Sequence, residues 1–294
     1  MSDTALAPDF ETFRAGWEAG RNQLVWSRLA ADLDTPVSLY LKLAGARGDA
    51  FLLESVTGGE VRGRYSVIGL KPDLVWRCRG TAAEINREAR FDPDAFRPQP
   101  DHPLDAIRAL LAECRIDMPE GLPPIAAGLF GYLGYDMVRL VERLPDTRPD
   151  PLDLPDAVLV RPSVVAVLDG VRGEGTVVAP AWADPRAGAG LSARAAWAQA
   201  GERVMEAVRD LERGAGGPGP GLGSAARVGE ARSNIARPDY LAAVARAKDY
   251  IRAGDIFQVV PSQRWAQDFP LPPFALYRAL RRLNPSPFMF YFDF

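Results

Sequence analysis

One histidine, two cysteines and three lysines are all that 294 residues contain of these types, and each scarcity closes off some chemistry. The lone His102 lies between Asp101 and Pro103 in a proline-rich stretch and reads as a solvated loop residue. With no second histidine, and with Cys78 and Cys114 far apart, multi-histidine zinc sites and haem attachment are excluded. A Ser-His-Asp triad would depend wholly on His102. No G-x-x-x-x-G-K-[ST] occurs, so no phosphate loop of that kind is present. The two cysteines read as buried thiols in a reducing compartment. Lysine occurs only at positions 42, 71 and 248. The basic charge is therefore nearly all arginine, which reads as coding bias rather than as an array of phosphate clamps. A net charge of -3 gives no electrostatic reason to expect nucleic acid or an anionic membrane as partner. The opening "MSDTALAPDFETFRAGWEAG" has no basic segment followed by an apolar run. The longest nearly uncharged apolar stretch, residues 125–135, is too short and too rich in glycine to span a bilayer. The expected setting is the cytoplasm.

What the chain does have is ordinary for a soluble globular protein: 47% hydrophobic and 25% charged residues. At about 150 residues per domain its length suggests about two domains. "PVSLYLKLAG" (36–45) has helical spacing and a glycine stop. "AFLLESV" (50–56) and "GRYSVIG" (63–69) read as strands joined by a turn at "TGGEVR", and "DLVWRCRG" as a further strand. "PLDAIRALLAEC" (103–114) predicts an amphipathic helix with Leu104, Ile107, Leu110 and Leu111 on one face. "SVVAVLDGVRGEGTVVAP" predicts a strand–turn–strand pair. Residues 193–214 predict a long helix with Trp197, Val204, Met205, Val208 and Leu211 facing the core. Tight turns without regular strand–helix alternation argue for an α+β fold of largely antiparallel sheets flanked by helices.

The composition then changes. "GAGGPGPGLGSAARVGEARSN" cannot bury much apolar surface and reads as a mobile linker, dividing the chain into residues 1–213, a linker at 214–236, and residues 237–294. Past it, residues 237–254 predict a helix with Tyr240, Leu241, Val244, Ala247, Tyr250 and Ile251 on one side, closed by Gly254. "DIFQVVPSQRW" predicts a strand and "PPFALYRALRRL" a helix that opens on prolines and stops at Asn284-Pro285. "NPSPFMFYFDF" (284–294) predicts a last strand. A bare aromatic strand is an edge that needs a cover, and fewer than 60 residues make a marginal domain. The segment 237–294 therefore reads as the opening of a larger sheet domain.

Four stretches carry a family resemblance: "FLLESV" followed by "GRYSVIG"; "GLFGYLGYDMVRLVERLP" (128–145); "AKDYIRAGDIFQVVPSQR" (247–264); and "LYRALRRLNPSPFMFYF" (276–292). In order and spacing they resemble the large subunit, component I, of anthranilate synthase, from about residue 10 to the last residue, but only the N-terminal part of that family. The resemblance implies a lyase of tryptophan biosynthesis with the component I sandwich fold, here lacking its C-terminal part. It implies conversion of chorismate and ammonia to anthranilate and pyruvate, Mg²⁺ on the substrate carboxylate, and a glutamine amidotransferase partner (component II) as ammonia source. The family's catalytic and metal-binding residues lie beyond Phe294, so the chain alone is expected to be inactive, with no catalytic or metal residue of its own. The alternatives are component I of aminodeoxychorismate synthase, a non-catalytic amino-acid-binding module and an inert fragment.

The resemblance also implies feedback inhibition by L-tryptophan, bound near Glu54 and Ser55 and near Pro287, Phe288 and Met289. An indole needs an apolar slot with a few fixed polar partners; Met289 can line one and the Ser55 hydroxyl can donate or accept. In a regular strand Leu53 and Ser55 share a face that Glu54 does not, which favours Ser55 as the contact. Arg64 is a candidate for the ligand carboxylate, against the plainer reading of a solvated turn arginine. The glycines at 128, 131 and 134 suggest close backbone packing, without a ligand. Gln258 and Ser262 share a face of the expected strand, either bordering a substrate cavity or forming ordinary cross-strand pairs.

Overall fold

The computed structural model describes residues 5–45, 48–55, 64–145, 150–183, 190–213 and 229–294. Most of the expected linker thus lies outside the described residues. Contacts divide the chain into two compact units, Met1–Pro218 with Arg281–Phe294, and Gly219–Leu280.

The first unit is a nine-stranded sheet with helices packed on it, and every pairing in it is antiparallel. In chain order its elements are α1 (Phe10–Glu18), β1 (Gln23–Ala30), α2 (Pro36–Leu43), β2 (Ala50–Ser55), β3 (Tyr65–Arg79), β4 (Ala82–Asn86), β5 (Arg97–Gln99), α3 (Pro103–Glu113), β6 (Phe130–Leu133), β7 (Ala157–Asp169), β8 (Glu174–Ala181) and α4 (Ala193–Glu212). The strand β11 (Phe288–Asp293) completes it, giving the order β1-β8-β7-β3-β2-β11, with β4 and β5 continuing from β3 and β6 beside β7. The α+β antiparallel expectation holds.

Local chemistry accounts for these elements. Pro36 opens α2, and Thr35 and Ser38 cap it reciprocally, each side chain accepting from the other's backbone amide at 3.1 and 2.9 Å. α3 opens on Pro103 after His102, whose side chain is exposed and makes no capping bond. The buried seam of α4 is Ala196, Ala200, Gly201, Val204, Ala207, Val208 and Leu211. The expected stripe named Trp197 and Met205, but both are only half-buried. Small residues let the helix lie close on the sheet, while Trp197 sits at the margin, donating from Nε1 to the Pro8 carbonyl at 3.1 Å.

The two strands expected at 63–69 and from Asp73 are one strand of 15 residues. Lys71 adopts φ +49° and the register against β7 shifts between Pro72 and Leu74. That irregularity absorbs a proline that a regular ladder would reject, so the strand bends rather than ends.

One core cluster gathers Leu24, Phe51, Val67, Val165, Val167 and Val178 with Ala126 and Phe130; a second holds Leu74, Trp76, Cys78, Ile85, Leu110 and Cys114. Both cysteines are buried and free. Burial pushes the Cys78 thiol up to about 11, helped by Asp156, and raises that of Cys114 as well. Thiolate is the reactive form. Neither thiol should therefore react with a disulfide reagent at pH 8 in the native protein, and both should react once it is unfolded in urea. Rapid labelling of either native thiol would contradict this burial.

The second unit holds β9 (Arg232–Ser233), α5 (Arg237–Ala253), β10 (Trp265–Ala266) and most of α6 (Pro273–Leu283), with β9 and β10 paired antiparallel. Gly254 closes α5 at φ +83°, as expected. The expected strand at "DIFQVVPSQRW" is corrected: only Trp265 within it is in a strand. A strand exists only as one side of a ladder, and among the described residues 256–263 have no ladder partner, while Arg264 makes one backbone bond, accepting from the Asn234 amide at 3.0 Å. Gln258 and Ser262 therefore share no strand face and are exposed, as are Phe257 and Val260. The α5 stripe is only partly covered: Tyr240, Val244 and Ala247 are half-buried, Leu241, Tyr250 and Ile251 are exposed, and no residue of that helix is fully buried.

Candidate inhibitor site

The register of three strands builds the candidate site. In β2, Ser55 lies opposite Phe288 of β11, Leu53 opposite Phe290 and Val67, and Glu54 opposite Met289 and Ser66. Directly opposed residues share a face of the sheet. Leu53, Ser55, Tyr65, Val67, Phe288 and Phe290 therefore stand on one face, and Glu54 and Met289 belong to the other.

On the first face lies a cavity of about 460 Å³, walled by Leu53, Ser55, Tyr65, Val67, Phe288 and Phe290, with Ile125 from the 3₁₀ turn Pro124–Ala126. It is almost wholly apolar. The Ser55 Oγ is buried and has no hydrogen-bond partner. An unpaired buried hydroxyl is costly, so this atom is a ready donor and acceptor for whatever enters.

Glu54 and Arg64 also border the cavity, but both are engaged elsewhere. Glu54, 3% exposed, accepts from Arg281 Nε at 2.7 and 2.8 Å and from its Nη2 at 2.5 Å. Arg64 donates to Asp169 Oδ2 from Nε at 2.9 Å and from Nη2 at 2.5 Å. The Arg64 guanidinium holds the Asp169 carboxyl below its usual range, aided by the Arg172 and Val171 amides. Met289 borders the cavity from the strand position opposite Glu54, while Pro287 is exposed and outside its wall. Of the six residues picked from sequence, Ser55 and Phe288 thus meet on the cavity face. Leu53, Tyr65, Val67, Ile125 and Phe290 were not picked. Strand alternation from Ser55 and Phe288 would have found Leu53 and Phe290; Ile125 carries no local signal.

Both strands that frame the cavity lie within residues 50–294, which match the family model described as chorismate binding enzyme. The chain belongs to the chorismate-binding enzyme family. It is 70% identical over 285 residues to the anthranilate synthase component 1 of Cereibacter sphaeroides, covering 97% of this chain and 56% of that protein. Against the same-named protein of Thermus thermophilus the identity is 42%, with 90% and 52% covered. The chain spans about half the length of the curated relatives it matches. In fold it is similar to the crystal structure of anthranilate synthase component I from Streptococcus pneumoniae, with a TM-score of 0.60 over 88% of this chain and 52% of that one, at 22% identity.

The described residues contain no group of three His, Cys, Asp or Glu side chains that could hold a metal ion. The magnesium implied by the family resemblance thus has no fitting ligand set among them. No described helix is long and apolar enough to cross a membrane.

Proposed function

We propose that this chain is the N-terminal, tryptophan-sensing portion of an anthranilate synthase component I. In that reading residues 1–213 carry most of the sensor, 214–236 link, and 237–294 open the chorismate-binding region. The longer protein would convert chorismate and ammonia to anthranilate and pyruvate in the cytoplasm. Ammonia would come from a glutamine amidotransferase subunit, and residues beyond Phe294 would hold Mg²⁺ and do the chemistry. The names and identities of the relatives support the activity.

The observation that carries the sensor role is the unpartnered Ser55 Oγ in an apolar cavity walled by both β2 and β11. Aromatic and aliphatic walls suit an indole, and the hydroxyl supplies one fixed polar contact for the amino-acid end. A ligand held between β2 and β11 stabilises the arrangement in which they pair. Inhibition follows if the productive arrangement differs there, since a ligand shifts an equilibrium only by its difference in affinity for the two states.

Ser55→Phe, made in the longer protein, should fill the slot. The tryptophan concentration for half-inhibition, measured against the same variant's uninhibited rate, should rise by about tenfold or more, the order of one lost polar contact plus a blocked cavity. An unchanged half-inhibition concentration would remove Ser55 from the site.

A further inference from the structure

A second cavity, of about 230 Å³, lies away from the one beside Ser55, between α4, the residues after β8 and the loop after β4. Two buried donors on its wall lack partners: the Trp182 indole Nε1–H and the Arg203 Nε–H. Trp182 is only 8% exposed. Its ring lies beneath the Arg161 guanidinium, whose carbon is 4.4 Å from the ring centroid. A cation on the π face draws electron density from the indole and makes its N–H a stronger donor. Arg203 spends Nη2 on the Pro180 carbonyl at 2.7 Å, which fixes its side chain along the cavity wall.

The charges nearby are unevenly satisfied. Asp73 is taken by Arg161 at 2.7 Å, and Glu113 pairs with Arg87 at 2.6 Å and with Arg161 at 3.3 Å. That leaves Arg203 and Arg90 on the wall, with Glu88 as the further acid. Burial and the neighbouring Arg90 both work against the charge on Arg203. Two unpartnered N–H donors from residues of one cavity wall and an excess of positive charge, in a space smaller than a drug-sized ligand needs, call for a small anion.

We propose that this cleft binds a small oxyanion, a carboxylate or an orthophosphate, through the Trp182 indole N–H and the Arg203 guanidinium. The site lies outside the proposed tryptophan cavity and does not depend on that reading.

The test is a titration of the ¹⁵N-indole signals of the whole chain at constant ionic strength, replacing chloride by phosphate in one series and by acetate in another. Trp182→Phe removes one signal and so assigns it. The Trp182 signal should move downfield and saturate while the other indoles stay still. Movement with only one of the two anions supports the site and names its chemistry. A Trp182 signal unmoved by both means that water satisfies the donors, and overturns the proposal. Arg203→Met should raise the midpoint by about tenfold or more, as loss of a charge-assisted hydrogen bond requires. An unchanged midpoint in that variant removes the guanidinium from the site.

Discussion

Replacing Arg161 by methionine is expected to destabilise the first unit by about 3 kcal/mol or more, the range for breaking a buried ion pair from one side. Arg161 lies in β7, is 2% exposed, and donates to Asp73 Oδ1 at 2.7 Å and Glu113 Oε1 at 3.3 Å. Burial works against its charge, and Asp73 together with Cys114 outweighs the burial. Methionine keeps much of the side-chain volume and removes the charge, so the two acids feel the change unequally. Glu113 retains Arg87 at 2.6 Å, whereas Asp73 keeps no other ion pair among the described residues. The penalty should therefore fall mainly on Asp73. The double variant Arg161→Met with Asp73→Asn should lose clearly less than the two single losses added, because contacting residues do not act independently. Urea melts of the three variants would decide it. A loss below about 1 kcal/mol for Arg161→Met, the scale of an exposed pair, would mean that the network contributes little to stability.

Much of the fold was legible because its signals are local. Pro36 and Pro103 at helix starts, Gly254 at a helix end and the alternation of residues 50–55 lie in the sequence beside the elements they specify. What was not legible depends on partners. Nothing in "VIGLKPDLVW" says that Pro72 would be carried through a bulge, because the bulge is a property of the β3–β7 pairing. "IFQVVPS" has strand composition, yet residues 256–262 lie in no strand ladder among the described residues. Propensity describes fitness for a ladder and does not supply the other side of it.

The candidate site divides in the same way. Alternation alone favours Ser55 over Glu54; in the structure Glu54 is held by Arg281, and Ser55 is a wall residue of the cavity whose buried hydroxyl has no hydrogen-bond partner. Arg64 is not a free turn arginine, since Asp169, 105 residues away in sequence, holds its Nε and Nη2. The register that sets Phe288 against Ser55 joins segments more than two hundred residues apart. Only the family resemblance brought those segments together at the level of sequence.

Gly131→Ala is the second substitution expected to have a large effect, about 3 kcal/mol or more from strain and overlap together. Gly131 adopts φ +151° in β6, where L side chains are rare, and a Cβ built there would stand 1.9 Å from the Val158 carbonyl oxygen. The obstacle is backbone of β7 in the middle of the sheet, so no flexible side chain can yield. Gly128 supplies the control. Its φ of +139° is also unfavourable for alanine, but nothing lies within 4 Å of its would-be Cβ. Gly128→Ala should therefore cost only the backbone strain, on the order of 1 kcal/mol, and the difference between the two variants measures the overlap. The overlap should also act at a distance, because Phe130, the neighbour of Gly131, stacks on Phe51 with ring centroids 4.7 Å apart. Phe51 lies two residues before Leu53 on the cavity face of β2. If β6 is pushed off β7, Gly131→Ala should weaken tryptophan binding to the longer protein in calorimetry, and Gly128→Ala should leave it nearly unchanged. Equal melting temperatures for the two variants would show that β6 yields without cost and that the close approach of β6 to β7 is not a constraint on the fold.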